Sequence, residues 1–278
     1  MDLIHYTFFQ HALLGSLLAS IACGIIGTYI VTRRLVFISG GITHASFGGI
    51  GLGLYMGINP LLSASLFAVL SAFGVEWLGK RRDMREDSAI AVFWTLGMAL
   101  GIIFTFLAPG FTPDLSAYLF GNILTITTGD LIYLSVVAVG LILFFGSMVN
   151  AIISVAFDRE FARSQGLPVN LIEYALMLFI ALTIVACLRM VGIVLVISLL
   201  TLPQMTANLF CNNFKRMIPL SIGVGYLACL GGLWFSFHFN VPSGASIIFV
   251  SILIYAVVKI WKMWSNHRKR TINQPVGS

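Results

Sequence analysis

The sequence predicts an all-α polytopic membrane protein, a bundle of eight or nine transmembrane helices with a cytoplasmic C-terminus. Three observations carry this. Only 9% of the 278 residues are charged and 59% are hydrophobic, whereas a soluble domain is about 25% charged. The mean hydropathy is +0.98. Apolar runs of about 20 residues, the length that crosses a bilayer, recur along the chain between charged or turn-forming segments. So few charges cannot clothe a water-facing surface, which excludes a soluble enzyme, and the hydrophobicity excludes disorder.

Taken in order, the first run is 9–32, closed by Arg33 and Arg34. Residues 1–10 contain no Lys or Arg, so they lack the basic region of a signal peptide and the run is expected to persist as a span. The run 36–58 stops at Asn59-Pro60, 60–79 at the charged segment Lys80 to Asp87, and 88–107 before Pro109-Gly110 and Thr112-Pro113. The next, 130–149, precedes the polar stretch Phe157 to Pro168. Residues 169–210 form an apolar stretch of 42 residues, about 63 Å as a helix. That is roughly twice the hydrocarbon thickness, so it must fold back near Arg189-Met190 into spans 171–188 and 191–210. Asn212 to Arg216 then precedes 217–237, and Asn240 to Gly244 precedes 244–262.

Basic residues set the orientation. With the N-terminus outside and nine alternating spans, 15 of the 16 Lys and Arg residues fall in cytoplasmic segments, leaving Arg189 outside. Nine spans is therefore the preferred count. Eight plus a short or re-entrant segment, either 36–58 or 115–127, is the alternative. The same placement explains the net charge of +6 without any nucleic acid. The pieces 108–129 and 150–168 and the basic tail 265–278 are too short to bury a core. Residues 1–278 thus form one transmembrane domain, and work on ATP or a soluble ligand falls to partners. The four cysteines are scattered, with no Cys-x-x-Cys pair, which argues against a disulfide framework and a zinc cluster.

Within span 36–58, Ala45, Gly49, Gly53 and Gly57 recur every four residues and predict a smooth ridge for close helix packing in lipid. Gly40-Gly41 adds a weak point near its start. His44 lies eight residues past Val36, about 12 Å deep if helical. Ionisable groups at such depth face a bundle interior or a wet pathway, and imidazole suits divalent transition metals. His44 is the candidate metal ligand; a neutral His hydrogen-bonded to a neighbouring helix is the competing reading. Pro203, followed by Gln204, implies a kink whose freed carbonyl needs a partner, either structural or lining a pathway. Glu76 and Glu173 fall near predicted cytoplasmic ends, where interfacial pairing accounts for them.

The stretch Phe157-Asp158-Arg159-Glu160-Phe161-Ala162-Arg163-Ser164-Gln165-Gly166 predicts a short helix. Asp158 can cap it and Gly166 can stop it. Phe157 and Phe161, four apart, give one aromatic face while Arg159 and Arg163 point elsewhere. Acidic residues among the basic ones favour a groove on a partner protein over a lipid surface.

In order and spacing, these segments resemble the membrane permeases of ATP-binding-cassette importers for zinc, manganese and iron, over about 14–256. The matching pieces are Arg33-Arg34-Leu35 with His44, Asp87 to Ala91, and Tyr118 to Leu124 with Asp130-Leu131. They continue with Phe157 to Ala162 and Gly166-Leu167-Pro168, Val191-Gly192 through Leu199-Leu200 with Pro203, and Pro242 to Ala245. The resemblance implies a permease homodimer in the plasma membrane (the inner membrane of a Gram-negative cell). It further implies two cytoplasmic ABC ATPase subunits and an extracytoplasmic metal-binding protein that delivers a divalent metal ion as cargo. It makes 157–166 the coupling helix, and it implies a chain that binds no cofactor and is no enzyme itself. The lack of a Gly-x-x-x-x-Gly-Lys-Ser/Thr phosphate loop agrees. One departure stands out. Many members carry Gly-Asp-x-x-Ser-His in the second span, where this chain reads Gly40-Gly41-Ile42-Thr43-His44 after Ser39, with Gly40 at the acidic position. Losing that hard anionic ligand favours softer-ligand ions over manganese. The alternatives are a permease for a metal chelate and, in a different class, an ion-driven secondary carrier, which would want carboxylates deep in the membrane. An intramembrane enzyme has only His44 to offer.

Overall fold

The computed structural model describes residues 6–80, 85–109, 121 and 123–272. Among them are ten α-helices, one short 3₁₀ turn at Ile123–Thr125, and no strand. In chain order the helices are α1 Thr7–Thr32, α2 Val36–Met56, α3 Pro60–Gly79, α4 Glu86–Leu107 and α5 Thr128–Phe157. They continue as α6 Arg159–Ser164, α7 Val169–Leu199, α8 Leu202–Phe210, α9 Phe214–Phe239 and α10 Ser243–Ile272.

Local chemistry sets many of the boundaries. Asn59 caps α3 by accepting the Leu61 N–H at 2.9 Å, with Pro60 in the first turn, where its missing donor costs nothing. Thr127 and Asp130 form a reciprocal capping box at the start of α5, and the Asn213 side chain caps α9. Two boundaries move from expectation. α5 kinks at Met148, where φ is −119° and ψ is 16°, beside the expected stop at 149, and then runs on to Phe157; α10 continues to Ile272 through the first part of the expected tail, and residues 273–278 lie outside the described residues.

Eight helical stretches among the described residues are long and apolar enough to cross a membrane. α2, at 21 residues, is of spanning length yet is not one of them. Its six glycines and His44 dilute its hydropathy. It tolerates this because 14 of its residues are buried against α3, α4 and α7, so most of its surface meets protein rather than lipid. The re-entrant alternative at 115–127 falls partly outside the described residues (115–120 and 122).

The fold-back expected near Arg189-Met190 occurs at Gly192, inside α7, where φ is 75° and ψ is 168°. Both ends of this long apolar run reach the same end of the bundle. Glu173 lies beside Lys80, while Asn208 shares a cleft with Arg34 and Phe157, so the chain reverses between them. Glycine enters that backbone region without steric cost. Gly121, itself at φ 56°, lies so close over the reversal that a Cβ there would strike Gly192 N. The alternation of helices collects Arg33, Arg34, Lys80, Arg159, Arg163, Lys215, Arg216 and Lys262 at one end; Lys262 donates to the Leu209 carbonyl. This is the basic end below.

Candidate functional site

The glycines of α2 form two tracks rather than one ridge. A Cβ at Gly49 would lie 2.5 Å from the Ser63 carbonyl oxygen, and one at Gly53 would lie 2.9 Å from Pro60 Cα, so both abut α3. Gly48 and Gly51 instead meet Gly97 and Gly101 of α4, and Ala45 packs on Gly97 with its backbone. The fourth expected ridge position, Gly57, is different: it ends α2 in the left-handed region at φ 68°, with nothing within 4 Å of a built Cβ. The four-residue spacing, carried past the helix end, places it on a face it never joins.

His44 lies on the side of α2 that meets α4. Its ring stacks on Trp94, with centroids 4.4 Å apart and planes 10° apart. Nδ1 is buried without a hydrogen-bond partner, so the bonded-histidine reading does not describe it. The neighbouring hydroxyls are already spent inside the helix: Ser39 on Val36 O at 2.7 Å, Thr43 on Ser39 O at 2.5 Å and Ser46 on Thr43 O at 2.6 Å. Trp94 also lies over Gly40, whose built Cβ would sit 3.4 Å from the indole. The indole thus covers the position where a carboxylate was expected by resemblance. Among the described residues no three His, Cys, Asp or Glu side chains gather as a metal site.

Pro203 stands in the first turn of α8 rather than kinking a continuous helix. The carbonyl it leaves free, four residues back, is that of Leu199. Gln204 answers it: Nε2 donates to Leu199 O at 3.1 Å and to Cys23 O on α1 at 2.7 Å. The side chain is fully buried. That geometry makes Gln204 a brace between α1 and the α7–α8 joint, and Pro203 a helix starter, in place of the pathway lining considered from sequence.

At the basic end, α6 is shorter than the expected 157–166. Asp158 takes an extended backbone, φ −147° and ψ 104°, and accepts the Phe161 N–H at 2.9 Å. Gly166 follows at φ 76°. Because Asp158 breaks the helix, Phe157 belongs to α5 and the single aromatic face is not formed. Phe157 (67% exposed) lines a cleft with Arg34 and Phe214, whereas Phe161 (54% exposed) lines another with Met148 and Leu167. Ala162 turns inward and is fully buried. Arg163 pairs with Glu160 at 3.0 Å on the outer surface. Arg159 reaches Glu173 at 2.5 Å, and Lys80 lies 2.9 Å from Glu76 and 3.3 Å from Glu173. Burial lowers the Lys80 ammonium, but the two carboxylates outweigh it and hold the group above its ordinary value.

Sequence reasoning missed Trp94, the α4 glycines and the Arg159–Glu173 contact. Each depends on which helices become neighbours, and nothing in the local pattern says so. A Trp and two glycines spaced three and seven residues on, in an apolar run, were the only available signals.

Comparison with known proteins covers nearly the whole chain. A family described as the ABC 3 transport family matches residues 5–262. An uncharacterised membrane protein of Synechocystis sp. is 38% identical over 91% of this chain and 90% of its own. The manganese transport system membrane protein MntC of Listeria monocytogenes is 32% identical over 92% of this chain and 91% of its own. Among solved structures, PsaBC from Streptococcus pneumoniae in complex with Fab superposes with a TM-score of 0.82 at 30% identity, covering 92% of both chains.

Proposed function

Since this chain belongs to the ABC 3 transport family, a family of multi-pass membrane proteins of the plasma membrane, we propose that it is the permease subunit of an ATP-driven importer of divalent transition-metal ions. It works as a homodimer, draws its energy from two cytoplasmic ABC ATPase subunits, and receives its cargo from an extracytoplasmic metal-binding protein. The observation that carries this reading is α6: a short, capped helix between two spanning helices at the basic end, presenting an exposed Phe161 beside a cleft. A six-residue helix is too short to stand on its own propensity. Its exposed aromatic suits a socket on a partner, and ATP-driven closure of that partner would rock the spans between two states.

Manganese is the first cargo to test, because the relative MntC is named for manganese transport. A second reading favours zinc or another softer-ligand ion. His44 stacks on Trp94, and Gly40 offers no carboxylate beside it, so a cation there would complete its shell with water or backbone oxygen. The test is uptake of manganese and of zinc into proteoliposomes holding the permease with its ATPase. Phe161→Asp is expected to abolish uptake while the protein remains folded. Unchanged uptake with unchanged ATPase co-purification refutes the coupling role of α6. Uphill transport by the isolated chain on a proton or sodium gradient refutes the whole reading.

A further inference from the structure

The charges around Glu173 are used by neither the metal ligand nor the partner-facing side of α6. Glu173 sits in the second turn of α7 with its side chain 1% exposed, and Glu76 is nearly as deep at 4%. Arg159 Nε meets one Glu173 oxygen at 2.5 Å, while Lys80 Nζ lies 3.3 Å from the other. Lys80 also lies 2.9 Å from Glu76, 4.5 Å over the Tyr174 ring and 3.4 Å from Asn170 Oδ1. Two carboxylates face two cations, so the cluster is neutral. A buried carboxylate that loses its partner is strongly disfavoured, which keeps these groups together when the helices move.

Among the described residues, Arg159–Glu173 is the one ion pair that leaves α6 for the rest of the bundle; the other pair of α6, Arg163–Glu160, stays within it on the surface. Glu173 hands the contact to Lys80 at the end of α3, and α3 packs along α2, the helix of His44. We propose that Glu173 is a positioning residue: it ties α6 to α3 and α7 at once, so that a displacement of α6 is delivered to both helices together and reaches the His44 region through α3. This rests on the permease reading above.

Two measurements test it. In proteoliposomes holding the permease with its ATPase, Glu173→Gln is expected to lower the metal moved per ATP hydrolysed roughly five- to tenfold, with assembly and basal ATP hydrolysis retained. Arg159→Gln, at a half-exposed position, is expected to give the same loss, and the double variant no more than either single one. A purely structural role would instead lower both activities in proportion to folded protein. Hydrogen exchange on the full-length chain in detergent reads the tether whatever the cargo is. Amides of residues 159–166 are expected to exchange roughly fivefold faster in Glu173→Gln, with α1 and α9 unchanged. Wild-type metal moved per ATP in both single variants, or additive losses, or unchanged α6 exchange, overturns the proposal. A wild-type complex without ATP-driven metal uptake retires the permease reading, and the exchange result alone then decides the tether.

Discussion

The backbone-to-backbone contact of α2 with α4 can be tested with one methyl group. In Gly97→Ala the added Cβ strikes Ala45 Cα and lies 2.7 Å from Ala45 O and 2.9 Å from Ala45 C. All three are backbone atoms that cannot swing aside. Carbon pairs rest at about 3.5–4.0 Å, so α2 and α4 must separate by roughly 1 Å. Overpacking of this kind costs about 1–3 kcal/mol, offset in part by about 1 kcal/mol of helix propensity gained over glycine. The net loss of about 0–2 kcal/mol corresponds to a fall of up to roughly 8 °C in Tm for a chain of this size. Gly223→Ala is the control: it lies in α9 with nothing within 4 Å of its Cβ, so it keeps the propensity gain and should unfold slightly above wild type. The assay is thermal unfolding of detergent-purified protein followed by size-exclusion monodispersity. If Gly97→Ala unfolds with or above Gly223→Ala, α2 and α4 are not in backbone contact and the account of α2 packing is wrong.

Other expected outcomes concern the joint, the metal path and the topology. Gln204→Leu strands the Leu199 carbonyl, which Pro203 cannot reach, while Cys23 O keeps its partner within α1; at about 1–3 kcal/mol for an unsatisfied buried group, its Tm should fall below wild type, and an unchanged Tm would remove Gln204 as a brace. Gly40→Asp puts a Cβ 3.4 Å from the Trp94 ring and an anionic ligand near His44, so manganese uptake should rise relative to zinc; an unchanged ratio would separate Gly40 from selectivity. A reporter fused after Ser278 is expected to be cytoplasmic, and an external signal would overturn the orientation drawn from the basic residues.

How legible was all this? α3 matched the run 60–79 from end to end because Asn59-Pro60 and Lys80 are explicit punctuation. The reversal of the 169–210 stretch followed from length alone; its site moved to Gly192 because the turn needs a backbone that glycine supplies. Asp158 was readable as a cap, but the cap's own extended backbone parted Phe157 from Phe161, which periodicity by itself could not foresee. The glycines of α2 announced close packing, yet their division between α3 and α4 is decided by Ser63, Ala64, Gly97 and Gly101 on other helices. Glu76 and Glu173 were expected to pair near the membrane boundary. That they share Lys80 and reach Arg159 is tertiary information.

The burial of α2 bears on how the chain is made. Of all the spanning-length helices it gains least from hydrocarbon, since its glycines expose backbone and His44 resists leaving water. Its stable home is the slot lined by α3 and α4, both synthesised after it. Val36–Met56 therefore completes its packing only after those later helices have been made. A chain ending before α3 and α4 would leave Val36–Met56 without the slot that buries it.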